Sequence, residues 1–102
     1  MIKTELCEEE DGRVVMHFEG RLDTPEAEKV KHDMERLCEY HDRDIVLDMT
    51  NLKYVCSSGL RLFLNLLKES RLNGCDITVI GLSEYLHRVF DETGFTRLFK
   101  LE

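Results

Sequence analysis

The chain has 102 residues, of which 42% are hydrophobic and 34% are charged, and it contains a single proline. This length suits one domain spanning residues 1–102, and the composition is that of an ordered globular protein rather than a disordered chain. Fourteen basic and 21 acidic residues give a net charge of −7, which repels nucleic-acid phosphates and anionic lipid headgroups. We therefore exclude direct nucleic-acid binding and expect a protein partner with a basic face.

Targeting and redox signals are weak in this sequence. No apolar run approaches the roughly 20 residues that a membrane-spanning helix needs, and the first residues show no secretory pattern. We therefore expect a cytoplasmic protein with no membrane insertion. The four cysteines, Cys7, Cys38, Cys56 and Cys75, form no C-x-x-C pair, and in a reducing compartment we expect them to remain separate thiols.

The N-terminal residues predict a β-hairpin. Strands are predicted at 2–7 and 13–19, joined by an acidic turn that ends at Gly12. Because side chains alternate along a strand, one face of the second strand is predicted to point toward the core and the other away from it. The core face is expected to carry Val14, Met16 and Phe18. The outer face is expected to carry Val15, His17 and Glu19.

The remainder of the chain alternates helices and strands. A helix is predicted over about 24–41, with Asp23 or Thr24 as its cap. Residues 45–47 predict a central strand buried on both faces, which ends at Asp48. Further elements are predicted as a helix from Ser57 or Ser58 to the Asn73-Gly74 stop, a strand at 76–80, a helix at 85–92 capped by Ser83 and followed by Gly94, and a short strand at 98–101.

This order predicts the fold class. Strand-helix-strand crossovers make neighbouring strands parallel. We therefore expect an α/β fold in which the central strands are mostly parallel, an antiparallel N-terminal hairpin forms the edge, and about three helices flank the sheet.

Open α/β sheets place their sites at the carboxyl edge, where the strand-to-helix loops meet. Three loops are predicted there, at 20–23, 49–58 and 81–83. The middle loop has about nine residues, more than the roughly 2–6 that such connections usually have, and excess loop in a compact domain tends to be functional. We therefore expect the site in this segment.

Two serines, Ser57 and Ser58, stand at the predicted mouth of the second helix. Ser58 is expected to cap the helix, since a hydroxyl there accepts a bond from a free backbone N–H. The same geometry suits a phosphate, with Gly59 leaving room for its close approach. A serine at this position is therefore a candidate for modification.

Enzyme and metal interpretations have less support. A serine hydrolase elbow needs glycine two residues before and after the serine, and Val55 occupies the first of these positions. Cys56 precedes a helix N-terminus, so a thiol enzyme or redox sensor stays open. The Cys38-x-x-His41 pair lacks a second ligand pair, and the sequence has no nucleotide-binding glycine motif. We expect no metal and no cofactor.

Several segments together resemble a known family. They are Gly20-Arg21-Leu22-Asp23 before a capped helix, Ile45-Val46-Leu47-Asp48, Ser57-Ser58-Gly59-Leu60, Gly74, the strand from Ile77 to Gly81, and Gly94-Phe95. In this order they resemble the STAS domain of bacterial anti-sigma factor antagonists, and the likeness runs almost from end to end. The resemblance implies a STAS-like mixed sheet.

The resemblance also implies a function without catalysis. In that family the unphosphorylated domain binds an anti-sigma factor that is also a serine kinase, which frees the sigma factor. Phosphorylation of a loop serine releases the antagonist, and a serine phosphatase resets it. The position of that serine is Ser57 here, with Ser58 as the second choice. The residues implied to bind the partner are Asp23, Cys56, Ser57, Ser58, Gly59 and Arg61.

One position departs from the family pattern. Cys56 stands where the family has an aspartate, which removes a negative charge beside the hydroxyl. A second hypothesis is therefore a small cytoplasmic STAS subunit of a lipid-transport ATPase assembly, because that role needs no phosphoacceptor. The leucines of the second helix leave two alternatives open, a core face or the patch of a homodimer.

Overall fold

The structure is a computed structural model that describes residues 1–41 and 43–102. In this part of the chain five strands form one sheet with the order β1-β2-β3-β4-β5. The strands are β1 (Ile2–Glu8), β2 (Val14–Leu22), β3 (Ile45–Val55), β4 (Ile77–Ile80) and β5 (Lys100–Leu101). β1 is antiparallel to β2, and all other neighbours are parallel. The predicted mixed α/β sheet with an antiparallel edge hairpin is confirmed.

Three α-helices lie in the described residues: α1 (Thr24–Leu37), α2 (Ser57–Leu72) and α3 (Glu84–Thr93), the last followed by a short 3-10 helix, Phe95–Arg97. The Asp23 carboxylate caps α1 by accepting from the Glu26 N–H at 3.3 Å. The Ser83 hydroxyl caps α3 by accepting from the Leu86 N–H at 3.2 Å. These predicted caps are confirmed, and they explain why the two helices begin where they do.

One hydrophobic cluster lies between the sheet and the helices. At its centre Phe18 of β2 meets Phe63 of α2 edge to face, with ring centroids 5.6 Å apart. Each buried aromatic side chain removes a large apolar area from water, so this pair is a principal contact between α2 and the sheet. The outer face of β2 is also partly covered, since Val15 is only 3% exposed beside the equally buried Val46.

The leucines of α2 belong to the core rather than to a second surface. Leu66 and Leu67 are buried, and Leu60, Leu62 and Leu64 pack against the core as half-buried side chains. Among the described α2 residues Leu72 is the large exposed hydrophobic side chain, at the C-terminal end. A single exposed leucine does not make a patch, so the burial of these leucines favours the core alternative, and a homodimer stays a prediction.

Two of the predicted connections at the carboxyl edge are wrong. β2 continues to Leu22 and β3 continues to Val55, so the expected loops at 20–23 and 49–58 shrink to Asp23 and Cys56. The two strands stay paired because the register shifts between His17 and Glu19 and again between Gly20 and Arg21. Such bulges keep strands together while they interrupt the alternation of side chains.

Asp48 does not end its strand. Its carboxylate accepts from the Thr50 N–H at 3.0 Å and from the Thr50 hydroxyl at 2.6 Å, so it supports the continuing backbone. β4 pairs with β3 only up to this point. The chain leaves β4 at Gly81, whose φ is +75° and where an added Cβ would lie 2.8 Å from the Thr50 backbone nitrogen. Beyond Asp48 the second half of β3 therefore pairs with β2 alone.

Helix α1 is shorter than predicted. It ends at Leu37, and the N–H groups of Cys38, Glu39 and Tyr40 then bond to carbonyls three residues back, at 3.1 to 3.3 Å. This tighter winding takes the following residues off the helical path, so His41 lies outside the helix. No helix in the described residues is both long and apolar enough to cross a membrane.

A hydrogen bond between side chains on the outer face of the sheet joins β2 to β3. His17 Nδ1 lies 2.7 Å from Asp48 Oδ2, and the His17 side chain is 46% exposed, as predicted for an outward residue. Burial raises the pKa of Asp48, but the hydrogen bonds from Thr50 and His17 outweigh it and hold that pKa below its usual value. The ionised carboxylate is therefore the form that stabilises the fold.

We expect Asp48→Asn to lower the free energy of unfolding at pH 7 by about 1 kcal/mol, since it weakens these hydrogen bonds. Because the folded pKa is depressed, the advantage of the wild type is present above the unfolded pKa and disappears as pH falls through the folded one. Urea unfolding at pH 7 and at pH 3 measures it. Asp44→Asn, at an exposed aspartate, is the control. A wild-type advantage that grows on acidification would contradict this account.

Candidate partner-binding site

The carboxyl edge of β2 and β3 fixes where two helices begin. Leu22 pairs with Val55, and the Cys56 N–H donates to the Leu22 carbonyl at 2.9 Å. The caps of α1 and α2, Asp23 and Cys56, therefore follow directly from two paired strand ends. The Tyr85 hydroxyl donates to the Val55 carbonyl at 3.4 Å, which brings the first turn of α3 to the same edge. The helix starts converge as predicted, although through single-residue connections.

The predicted phosphoacceptor lies on the surface at this edge. Ser57, the first residue of α2, is exposed, whereas Ser58 is half-buried. The first bond of the helix runs from the Leu60 N–H to the Cys56 carbonyl at 3.0 Å. Helix geometry leaves the N–H groups before Leu60 without a carbonyl of their own helix, and the helix dipole makes this end positive. A visiting protein can thus reach the Ser57 hydroxyl, in surroundings that favour an anion.

Ser58 is not the cap of α2, which corrects the expectation from sequence. Ser58 already lies within the helix, and Cys56 occupies the cap position with extended backbone angles. Within the described part of the chain the Cys56 side chain makes no capping hydrogen bond. A thiol is a weak acceptor, so α2 begins without the side-chain support that α1 and α3 have.

Gly59 has a packing role that the sequence did not reveal. It is buried, and an added Cβ would lie 2.8 Å from Leu22 Cδ2 and 2.9 Å from Val55 Cγ2. The absence of a side chain lets α2 start directly against the two strand ends. The expectation that Gly59 leaves room for a phosphate is therefore wrong, because these side chains fill the space beside it.

The remaining predicted residues flank the serines. Asp23 is half-buried and its carboxylate is engaged in capping α1, while Arg61 is exposed one turn further along α2. A cleft of about 170 Å³ between α1 and α2 reaches Ser58 and Arg61. Small-molecule sites usually measure roughly 300–1,000 Å³. This cleft is therefore smaller than the usual site of a small molecule.

Three residues at this edge were missed by the sequence analysis. The Arg21 guanidinium carbon lies 4.5 Å from the centre of the Tyr54 ring. The Tyr54 ring in turn stacks on Tyr85, with centroids 6.3 Å apart and planes at 15°. We call these residues the Arg21–Tyr54–Tyr85 row. Arg21 is exposed and both tyrosines are half-buried.

Little in the sequence predicts that the residues of the Arg21–Tyr54–Tyr85 row contact one another. Arg21 and Tyr54 become partners only after the second register shift between β2 and β3, which no local pattern encodes. Tyr85 comes from a different element, 30 residues later than its bonded carbonyl at Val55. The only available hint was that Tyr54 stands close to the serines.

The metal interpretation gains nothing from the structure. Among residues 1–41 and 43–102, no group of three or more His, Cys, Asp or Glu side chains is placed to hold a metal ion. His41 is exposed beyond the end of α1. Burial raises the pKa of the Cys38 thiol, and the carboxylates of Glu69 and Glu35 raise it further, so the thiolate that a metal would need is disfavoured.

Comparison with known proteins identifies the family. The model of the STAS domain matches residues 6–102, almost the whole chain. The chain belongs to the STAS domain family. The resemblance noted in the sequence is therefore confirmed.

Two of the three proteins compared below are named anti-sigma factor antagonists. An anti-sigma-B factor antagonist of Staphylococcus aureus is 34% identical over 82 residues, which are 78% of this chain and 73% of that protein. The crystal structure of an anti-sigma factor antagonist from Mycobacterium paratuberculosis is 20% identical, with a TM-score of 0.80 over 99% of this chain and 85% of that one. The Bacillus cell fate determinant SpoIIAA in its phosphorylated form is 19% identical, with a TM-score of 0.72 over 98% and 91%. At these identities the two structures establish the fold.

We expect Gly59→Ala to destabilise the STAS domain by about 1–2 kcal/mol. Crowding against Leu22 and Val55 costs roughly 1–3 kcal/mol, and the better helix propensity of alanine recovers at most about 1 kcal/mol. Urea unfolding measures the loss. The double variant Gly59→Ala/Val55→Ala should lose less stability than the sum of the losses of the two single variants, because the smaller side chain at residue 55 relieves the contact. Additive losses would show that this contact is not the cause.

We expect Cys56→Asp to stabilise the domain by about 1 kcal/mol, because a carboxylate at the cap position can accept from the free N–H groups of α2. Thermal and urea unfolding measure this gain. Cys56→Asn is the matched variant, since it caps without charge, and Cys56→Ala is the control that cannot cap. Equal stability of the aspartate and alanine variants would contradict the assignment of Cys56 as an unsupported cap.

Proposed function

We propose that this STAS domain is an anti-sigma factor antagonist that binds an anti-sigma factor with serine kinase activity, and that phosphorylation of Ser57 controls this binding. The observation that carries the proposal is the exposed Ser57 hydroxyl at the open, positive end of α2. It is supported by the relative in Staphylococcus aureus, which is named an anti-sigma-B factor antagonist. Such a protein acts in the cytoplasm, where transcription takes place.

The protein binds its partner while Ser57 is unphosphorylated. Here the partner covers Ser57 and its neighbours, and the proposed contact set is Asp23, Cys56, Ser57, Ser58, Gly59 and Arg61. Gly59 contributes indirectly, because it is buried and sets the position of the α2 start. While the anti-sigma factor is held in this way, its sigma factor is free.

The switch is a phosphoryl transfer in which this chain supplies only the acceptor. The Ser57 oxygen forms a bond to the γ-phosphorus of ATP, the bond to the leaving ADP breaks, and a base on the kinase takes the hydroxyl proton. No catalytic group of this chain is needed. A serine phosphatase that hydrolyses the ester restores the hydroxyl.

The energies involved favour an effect of phosphorylation on partner binding rather than on the fold. A phosphoserine adds about −1.5 to −2 charges at neutral pH, and burying them against a partner without matching cations costs several kcal/mol. A hundredfold loss of affinity needs only about 2.8 kcal/mol. The attraction between the phosphate and the helix end is worth roughly 0.3–1 kcal/mol in the free domain. Phosphorylation should therefore dissociate the complex and leave the fold intact.

Exposure favours Ser57 over Ser58 as the acceptor. A kinase must place the attacking oxygen in line with the γ-phosphate, which requires a hydroxyl that projects from the surface. Ser57 is exposed and Ser58 is half-buried beside the α1–α2 cleft. Phosphorylation at Ser58 would first require that side chain to leave its packed position.

We expect incubation with ATP and the partner kinase to add one phosphate to the chain, at Ser57. Peptide mass spectrometry locates the site. Ser57→Ala should abolish the modification, and Ser58→Ala, the matched control, should retain it. Ser57→Asp should weaken binding to the kinase at least tenfold in titration calorimetry while its unfolding curve stays close to that of the wild type. An active kinase that binds the chain but modifies Ser58, or neither serine, would refute the proposed switch.

A further inference from the structure

The Arg21–Tyr54–Tyr85 row combines a cation and two aromatic side chains at the carboxyl edge of the sheet. Its members come from three elements, β2, β3 and α3, and they meet only at the carboxyl edge. Tyrosine and arginine are among the residue types enriched in interface hot spots, the few side chains that contribute most of the binding energy. The row is therefore a candidate anchor for a protein partner.

The row is already ordered before any partner arrives. The Tyr85 hydroxyl donates a long hydrogen bond of 3.4 Å to the Val55 carbonyl, and the Tyr54 ring contacts both the Tyr85 ring and the Arg21 guanidinium. Fixing a rotamer-rich side chain at an interface costs about 0.5–1.5 kcal/mol. Side chains that are held in the free protein avoid much of this cost, so the row can contribute more of its contact energy to affinity.

The row is continuous with the proposed switch. Tyr54 stands three residues before Ser57, and the carbonyl that holds Tyr85 stands two residues before it. A protein that covers the Ser57 hydroxyl therefore lies within reach of the exposed face of the row. This proximity favours, as the occupant, the same kinase that is proposed to phosphorylate Ser57.

The charge of this edge defines the chemistry of that occupant. The chain carries a net charge of −7, but the member of the row that is exposed is a cation, Arg21. The nearby Asp23 carboxylate is already engaged with the Glu26 N–H. At this one place a complementary partner face presents a carboxylate to Arg21 and apolar side chains to the tyrosines, whereas the net charge of the whole chain favours a partner that is basic elsewhere.

We propose that the Arg21–Tyr54–Tyr85 row is the affinity and specificity anchor for the serine kinase, acting separately from the phosphoacceptor Ser57. This inference rests on the proposed function. It assigns to the row the choice and strength of binding, and to Ser57 the control of release. The row touches no reacting atom in phosphoryl transfer, so its loss changes binding rather than the chemical step.

The test measures binding in the Ser57→Ala background, where no modification occurs, by titration with the kinase found in the phosphorylation experiment. We expect Arg21→Glu and Tyr54→Ala each to weaken affinity at least tenfold. Arg97→Glu is the charge-matched control, because this exposed arginine lies beyond the far end of α3, and it should bind as the parent does. In the background that keeps Ser57, Arg21→Glu should raise the KM for phosphorylation and leave kcat nearly unchanged.

The outcomes separate the two proposals. If the chain with native Ser57 binds no serine kinase, the proposed function fails and the anchor fails with it. If it binds, and Arg21→Glu and Tyr54→Ala bind as tightly as Arg97→Glu, only the anchor is refuted. Circular dichroism checks the fold of Tyr54→Ala, and the exposed position of Arg21 keeps the result decisive if that variant does not fold.

Discussion

The parallel pairing of β2 with β3 beyond the point where β4 ends is the constraint on which the site depends. It is maintained through two register shifts and finishes with Leu22 opposite Val55. Each strand is then joined to its helix by one residue, Asp23 or Cys56. With such short connections neither helix can move independently of the sheet. The position of the Ser57 hydroxyl is therefore set by strand pairing rather than by a flexible loop.

Much of the fold could be predicted because its signals are local. The caps at Asp23 and Ser83 and the buried strand at 45–47 each depend on neighbouring residues. The second half of β3 depends on contacts that are not local. There Thr50 and Asn51 are both exposed and Leu52 is buried, which breaks the alternation expected of a strand. The segment is extended because it pairs with β2, and β3 carries one extra residue at each register shift. A sequence pattern therefore favours a loop.

The candidate site likewise has features that local sequence predicts and features that depend on distant contacts. Two serines before a helical apolar stripe predict a helix mouth, and the exposed first residue of α2 is the one proposed as the acceptor. The role of Gly59 depends on Leu22 and Val55 meeting beneath it, and Leu22 is distant in sequence. The row of Arg21, Tyr54 and Tyr85 likewise needs a strand register and a third element. The structure adds the contacts between elements, which sequence patterns do not encode.

The construction of the α2 start explains how a modification there can act on binding alone. Two contacts hold this start, the Cys56 N–H on the Leu22 carbonyl and the close packing of Gly59, and neither uses the Ser57 side chain. A phosphate on Ser57 therefore adds charge without removing a structural contact. Cys56 has a further electrostatic consequence, because a neutral residue at the cap leaves the unmodified edge free of a carboxylate at this position. Arg21 is exposed at the same edge, so the unmodified edge can receive an acidic side chain that a phosphate would repel. A fixed negative charge at residue 56 would weaken this attraction for acidic side chains in both states.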